Sequence, residues 1–503
     1  MSDIAAFGRL LGAGWVLVRA DALVPRELDP VLPPGVKVAG GVLRIFAGPQ
    51  ARQGRPGERL ARSLERLGPV AIKLGQVLST RADIFGRPFA DDLSRLKDQL
   101  APFPTDQARA IVAAALDKPF EAVFADFGDP IGAASLAQAH AATLIDGRKV
   151  AVKVLRPGVE RRVAQDIEVL GLAARLIERH IPPARRLEPT AVAETISRSL
   201  RLELDLRLEA AGASEMAEIM AADPYMRAPK VIWDAVGRRT LMLEWAPGIA
   251  LSDPAALSTP GLDRPALANN LIRAFLAQAM DHGVFHADLH EGNLFIAAPA
   301  QITAVDFGII GRLDAVARRH LAEILWGFLQ RDYRRVAQAH FDAGYVPQRH
   351  SVEAFAQALR AVGEPHVGRP ANEISMGRLL GQLFEITALF DMRLRPELIL
   401  LQKTMVTVEG VARTIDPAHD RWAAAEPIVR RWITRELGPA ARARELASDA
   451  GKVLKALARL ADPLPQAAVI IEPPRRSSAF AWFAVGAVVS GLAFVLASLM
   501  AHP

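Results

Sequence analysis

A chain of 503 residues, 51% of them hydrophobic, has material for about three domain-sized units and a large buried core. It contains no cysteine, which excludes disulfide frameworks, thiolate zinc sites and thiol nucleophiles. The net charge of +6 and pI near 9.8 suit an anionic membrane face; with 6% aromatics and no basic-aromatic interleaving, no nucleic-acid partner is expected.

At the N-terminus, Asp3 stands where an export signal would have its basic region, and Arg9 and Arg19 bracket the apolar run from Leu10 to Val18. That pattern predicts an amphipathic surface helix and no cleavable signal. Further along, Pro130-Ile131-Gly132-Ala133-Ala134-Ser135-Leu136-Ala137-Gln138 is a run of small residues where a nucleotide lid would join two strands. Small side chains let backbone N–H groups approach phosphate oxygens. Asp146-Gly147 is a hairpin turn signal between Ala139 through Ile145 and a strand from Val150 to Leu155. That strand carries one lysine, Lys153, positioned to put a positive charge on the phosphates. Such a lysine needs an acidic partner, and Glu203, Asp205 and Glu209 lie in the stretch from Arg201 to Ala211. Its strict alternation argues for a strand, but it holds strong helix formers and no β-branched residue. It is read as a continuous helix, which puts Asp205 and Glu209 on one face and turns Glu203 about 120° away from Glu209. Arg239 through Glu244 is an apolar strand running into Trp245-Ala-Pro-Gly248, the layout of an interlobe hinge whose backbone pairs with an adenine edge.

The catalytic signal lies in His286-Ala-Asp288-Leu-His290-Glu-Gly-Asn293 and Asp306-Phe307-Gly308. Asp288 precedes Asn293 by five positions and Asp306 by eighteen, the separations of the catalytic-loop Asp, metal-binding Asn and DFG Asp in protein-kinase-like enzymes. One carboxylate is needed to orient the attacking hydroxyl or water, while Mg²⁺ bridging the phosphates takes oxygens from a carboxylate and an amide. After Gly308 the chain passes quickly into a helical pattern from Ala315 to Leu329, with no APE motif and no room for a long activation segment. Near the C-terminus, Ala479 to Met500 carries no charge and as a helix would span about 33 Å, enough to cross a bilayer once. Arg475 and Arg476 before it predict a single pass with the catalytic body cytoplasmic. Small-residue spacings at Gly486 and Ser490, and at Ala487 and Gly491, suggest a homodimer.

The chain resembles the UbiB-like atypical kinases of ubiquinone biosynthesis. Lys73-Leu-Gly75-Gln76 looks like that family's KxGQ signature, Glu203-Leu-Asp205 its ExD motif, Ile131 to His140 its alanine-rich loop, and Leu401 to Arg413 its C-lobe helix. The resemblance covers about residues 60 to 435. It implies that Gly132 to Gln138 cover the nucleotide phosphates, that Lys153 pairs with Glu209, that Asp288 is the catalytic base, and that Asn293 and Asp306 hold Mg²⁺. It further implies that Lys73 and Gln76 fold over the active site and engage Glu203, with Asp205 beside it, where a protein substrate would dock. ATP and Mg²⁺ are the implied cofactors. Anionic, cardiolipin-like lipids, quinone precursors and other ubiquinone-biosynthesis enzymes are the implied partners, and a bacterial-type inner membrane the location. Gly132 departs from the usual first Ala of the loop, Leu289 and Glu291 stand where the catalytic loop usually has Pro, and Gly212 replaces a frequent Asn.

The expected fold is α+β: a bilobal protein-kinase-like fold with a helical N-terminal extension over 1–115, an N-lobe over 116–250, a C-lobe over 251–440, a basic linker over 441–476 and a transmembrane helix over 477–503. The alternative activities are a small-molecule kinase of the aminoglycoside or choline type, disfavoured by KxGQ, and a pseudokinase scaffold, disfavoured by the retained metal ligands. A quinone-ring hydroxylase has no support, since no dinucleotide fingerprint or iron triad is visible.

Overall fold

The computed structural model describes residues 3–23, 25–28, 34–79, 87–94, 96, 101–180, 185, 188–366, 382, 385–386, 389–392 and 396–437. Met1 to Leu437 form one compact unit. It opens with helices α1 (Asp3–Arg19), α2 (Pro34–Leu43), α3 (Pro56–Leu67), α4 (Pro69–Ser79), α5 (Arg87–Ser94) and α6 (Thr105–Ala113). The expected N-terminal surface helix is α1, with Ala6 and Val18 buried and Phe7, Leu11 and Trp15 exposed. Arg59 of α3, only 2% exposed, is held by Glu27 and by the backbone oxygens of Gly54 and Asp21, so this buried charge is paired on several sides.

The N-lobe sheet has the order β1-β2-β3-β4, with β1 at Phe124–Ala133, β2 at Ala137–Leu144, β3 at Lys149–Leu155 and β4 at Thr240–Glu244. All neighbours are antiparallel. Period-2 alternation buries Val150, Val152 and Val154 against Phe124, Phe127 and Met242 on one face. Lys153 therefore points to the other face, the one turned toward the catalytic loop. Pro130 is accommodated because β1 is an edge strand with register shifts at that point.

Between β3 and β4 come α7 (Val159–His180), α8 (Pro189–Glu203) and α9 (Leu206–Ala221). The continuous helix expected across 201–211 is thus broken at Leu204 and Asp205. Asp205 is extended (φ −126°, ψ 93°) and its side chain accepts from the Arg207 N–H. An Asp is a strong N-cap because its oxygen satisfies a backbone donor the helix leaves orphaned, so this residue starts a new helix rather than continuing the old one.

The C-lobe contains β5 (Ile249–Ala250), α10 (Arg264–Ala277), a π-turn at Gln278–His282, β6 (Val284–His286), β7 (Leu294–Ala297), β8 (Gln301–Ala304) and β9 (Ile310–Arg312). It continues with α11 (Ala315–Leu329), matching the expected bounds, then α12 (Tyr333–Asp342), α13 (Val352–Gly363), α14 (Pro396–Ile415) and α15 (Arg421–Leu437). One continuous core joins the lobes, running from Leu155 and Leu241 through α9 and α10 to α14 and α15.

No helix among the described residues is long and apolar enough to cross a membrane. The fold class is corrected accordingly to a kinase-like α+β fold with no assigned transmembrane helix, and the single-pass inner-membrane placement is withdrawn with it. The segments that prompted that expectation, 441–476 and 477–503, lie outside the described residues.

Candidate active site at the lobe interface

Lys153 is the centre of the site. Its Nζ donates to Glu209 Oε1 at 2.7 Å and Oε2 at 3.0 Å, and to Asp306 Oδ2 at 3.2 Å. Three elements converge here: β3 supplies the lysine, the first turn of α9 the glutamate, and the loop after β8 the aspartate. Burial works against the lysine's charge, but Asp306 and Glu209 outweigh it and raise its pKa. Burial pushes Glu209 up to about 7, with Lys153 opposing and Asp306 reinforcing the shift. The Lys153 charge holds Asp306 below the ordinary carboxylate range. Asp306 is therefore the ionised carboxylate of the pair, and its side chain is 47% exposed toward the cleft.

Asp306 adopts φ +62°, a left-handed conformation that costs about 1 kcal/mol or more in a non-glycine residue and persists at functional sites. Its Oδ1 accepts from the Gly308 N–H at 3.3 Å. Phe307 is buried and its ring lies 5.1 Å from that of His286. Gly212 lets α9 approach this loop: a Cβ there would meet Ile310 Cδ1 at 2.7 Å and Phe307 O at 3.3 Å.

The catalytic loop is held by hydrogen bonds that define histidine tautomers. His286 Nδ1 accepts from the Asp288 N–H at 3.1 Å, so its proton sits on Nε2, which donates to Val305 O at 3.1 Å. Burial keeps this imidazole neutral by lowering its pKa. The His286 N–H donates to Gln278 Oε1 at 3.1 Å, and Thr404 on α14 donates to Ala287 O at 3.1 Å. His290 Nδ1 accepts from the Gly292 N–H at 3.0 Å, which leaves Nε2–H facing Asp288 Oδ2 at 3.7 Å. Asn293 donates from Nδ2 to Asp288 O at 3.0 Å, and Asn293 O accepts from the Val305 N–H at 2.9 Å. This backbone bond places Asn293 beside the residue preceding Asp306 and leaves the Asn293 amide oxygen for a ligand.

The donor set fits Mg²⁺: hard oxygens from one ionised carboxylate and one amide. Among the described residues no group of three His, Cys, Asp or Glu could hold a metal ion.

The alanine-rich loop divides in two. Ile131 and Gly132 are exposed, Ala133, Ala134 and Leu136 half-buried, and Ser135, Ala137 and Gln138 buried. A Cβ on Gly132 would meet nothing within 4 Å, so the space above the loop is open. Gln138 does not face it. Its oxygen accepts from the Phe103 N–H at 2.9 Å, and its amide nitrogen contacts Phe103 O at 3.1 Å and His140 Nε2 at 2.8 Å. With both ends of its side chain committed, Gln138 ties the loop to Phe103. Arg156, which motif reasoning missed, does the same from the other side: its Nε donates to Ala134 O at 2.8 Å and its Nη1 to Ala101 O at 3.0 Å. Its place just after the lysine strand was the available signal. Glu244 and Trp245 lie at the end of β4, where the Trp245 N–H donates to Lys149 O at 3.1 Å.

Lys73, on α4, donates to Glu203 at the end of α8, and Ser199 Oγ donates to the same Glu203 Oε1 at 3.0 Å. Gly75 is closely packed: an added Cβ would have to displace the Cδ1 methyls of Leu64 and Leu96. Gln76 contributes its backbone oxygen to Ser79 at 2.7 Å, and its side chain makes no hydrogen bond among the described residues. Asp205 is taken up by Arg207, with contacts of 2.9 and 2.6 Å, so it caps α9 rather than joining the Lys73 contact. Gln278 and Thr404, which fix the catalytic loop from behind, carry no motif and were not legible beforehand.

The comparisons with known proteins agree with this geometry. The ABC1 atypical kinase-like domain matches residues 95–340, and the UbiB helical domain matches residues 359–420. A "Probable protein kinase UbiB" of Marinobacter nauticus is 38% identical over 87% of this chain and 81% of its own length. That of Xylella fastidiosa is 40% identical over 78% and 72%. Among solved structures, the erythromycin complex of Rv3197 from Mycobacterium tuberculosis aligns with a TM-score of 0.53 at 21% identity, covering 78% of this chain and 98% of that one, a likeness of fold. On the strength of the two domain matches and the extent of the UbiB alignments, the chain belongs to the UbiB family of atypical kinases.

Proposed function

We propose that this protein is an Mg²⁺-dependent ATPase of the UbiB type whose turnover supports ubiquinone biosynthesis by aiding the processing of lipid-embedded quinone precursors. The observation that carries the reading is Lys153 donating to both Glu209 and Asp306 at 2.7 to 3.2 Å, with Asn293 bonded to the Asp288 carbonyl in the catalytic loop. Lys153 would neutralise phosphate charge, and the exposed turn of the alanine-rich loop would offer backbone N–H groups to it. Asn293 and Asp306 would hold Mg²⁺, which when bound spreads the developing charge of phosphoryl transfer. Asp288 would orient a water for in-line attack on the γ-phosphorus. The new P–O bond forms as the bond to the β–γ bridging oxygen breaks, and the water's proton passes to the Asp288 carboxylate. His290 Nε2–H, directed at that carboxylate, would hold its orientation.

Lys73 and Glu203 support hydrolysis over transfer to a protein, because their contact ties the N-terminal helices to the helix pair that carries Glu209. Lipid analysis of a strain whose only copy carries D288N tests the biosynthetic part. Ubiquinone should fall to the level of a deletion strain and an early phenolic precursor should accumulate, whereas unchanged quinone would contradict the reading.

A further inference from the structure

The turn behind the catalytic loop is held from outside the site. Helix α10 passes into the π-turn at Gln278–His282, and a helix end leaves its last carbonyls without intrahelical donors. Two other helices supply them. Trp432 Nε1 on α15 donates to Met280 O at 2.9 Å, and Arg318 Nη1 on α11 donates to Asp281 O at 3.0 Å. The Asp281 carboxylate, 9% exposed, accepts from Arg431 at 2.6 Å and from Arg435 at 2.8 Å. Arg435 stands four residues after Arg431 and three after Trp432, so one face of α15 makes all three contacts.

On its inner side the turn presents the Gln278 side chain, 1% exposed. Its Oε1 accepts from the His286 N–H at 3.1 Å. Among the described residues its Nε2 meets only the Met226 sulfur, a weak acceptor, at 3.9 Å. A buried amide satisfied at one end costs stability that a leucine of similar size would not, so packing does not account for it. What the amide supplies is an oxygen for one backbone N–H. That N–H belongs to the residue whose ring accepts from the Asp288 N–H and donates to Val305 O, next to Asp306. Asp306 is also tied to Lys153, so a loosened turn displaces Asp288 more than the groups that bind MgATP.

We propose that Gln278 is a positioning residue for ATP turnover, and that α15 governs it by holding the π-turn through Trp432, Arg431 and Arg435 in the shape that presents the Gln278 oxygen to His286. The kinetic part rests on the ATPase reading and deepens it; the coupling of α15 to the catalytic loop does not depend on it. Gln278 is buried and acts through His286.

The test uses the full-length protein and combines turnover, MgATP binding and nucleotide-free hydrogen–deuterium exchange read by mass spectrometry. Q278L removes the acceptor at similar size and should lower kcat at least roughly tenfold while MgATP affinity stays within about threefold. Q278E, neutral when buried and still offering an oxygen to the His286 N–H, should recover most of that loss. W432F removes the indole N–H and keeps an aromatic ring, and should move kcat in the same direction as Q278L. In both Q278L and W432F, exchange over residues 284–293 should quicken while the β1–β4 sheet stays protected. Unchanged exchange over 284–293 in either variant overturns the proposal, as does quickening spread evenly over the molecule, which would mark a general loss of stability. Equal loss of kcat in Q278L and Q278E overturns it too, because the acceptor oxygen would then not matter. If the unmodified protein releases no phosphate, the ATPase reading fails, and exchange over 284–293 alone decides whether α15 governs the loop.

Discussion

At the scale of single residues the site separates two aspartates by environment. Asp306 is ionised against Lys153 and faces the cleft, whereas Asp288 sits on a loop fixed by His286 and Asn293. D306N should abolish Mg-dependent ATP binding, and D288N should leave binding largely intact while stopping turnover. Thermal-shift titration with MgATP separates the two; equal loss of binding in both would refute the assignment.

Glu209 makes a second prediction. Its folded pKa of about 7 lies above the ordinary 4.5, so its protonated form stabilises the fold fully below about pH 4.5, and that contribution is lost as pH rises through 7. The gap bounds the effect at about 3 kcal/mol. E209Q lacks this titration, so its stability relative to the parent should improve steadily from pH 5 to pH 8. The neutral buried histidines gain stability with rising pH in the same window but are common to both proteins and cancel. A pH-independent difference in denaturation midpoints would contradict the assignment of the proton to Glu209.

At the scale of elements, legibility followed locality. The spacing from His286 to Gly308 was readable because strand, loop and strand are contiguous, and the Ala315 to Leu329 helix because its period is long and unbroken. The break at Leu204 and Asp205 was not, since strong helix formers run straight through it and only the cap hydrogen bond of Asp205 reveals a new helix. The tie between Gln138 and Phe103 was not legible because the two stand 35 residues apart. Gln278 was invisible because it acts through a single backbone N–H in a π-turn, a local widening that recurs at functional sites. Two element-scale outcomes follow. D205A should cost about 1 kcal/mol of stability through the lost cap, measured by chemical denaturation; no change would mean that the Arg207 contact, not the cap, dominates. K73A or E203A should free α4 from α8, alter nucleotide affinity and increase autophosphorylation, read by radiolabel incorporation into the protein itself. Unaltered nucleotide handling in both would show that the contact is only structural.

At the scale of the molecule, one continuous core joins the two lobes of a kinase-like fold, and Lys73 ties the N-terminal helices to α8. No helix among the described residues is long and apolar enough to cross a membrane. The KxGQ segment was legible from sequence: its Gly75 packs closely against Leu64 and Leu96 and its Lys73 is the tie to Glu203. The central claim is that ATP is hydrolysed without transfer to a foreign protein. It is tested most directly by incubating the full-length protein with γ-labelled ATP, Mg²⁺ and a proteome extract, and following phosphate release and protein labelling in one reaction. The account predicts Mg-dependent phosphate release that D288N abolishes, with no stoichiometric label on any foreign protein; stoichiometric transfer to a specific foreign protein by the unmodified enzyme would contradict it.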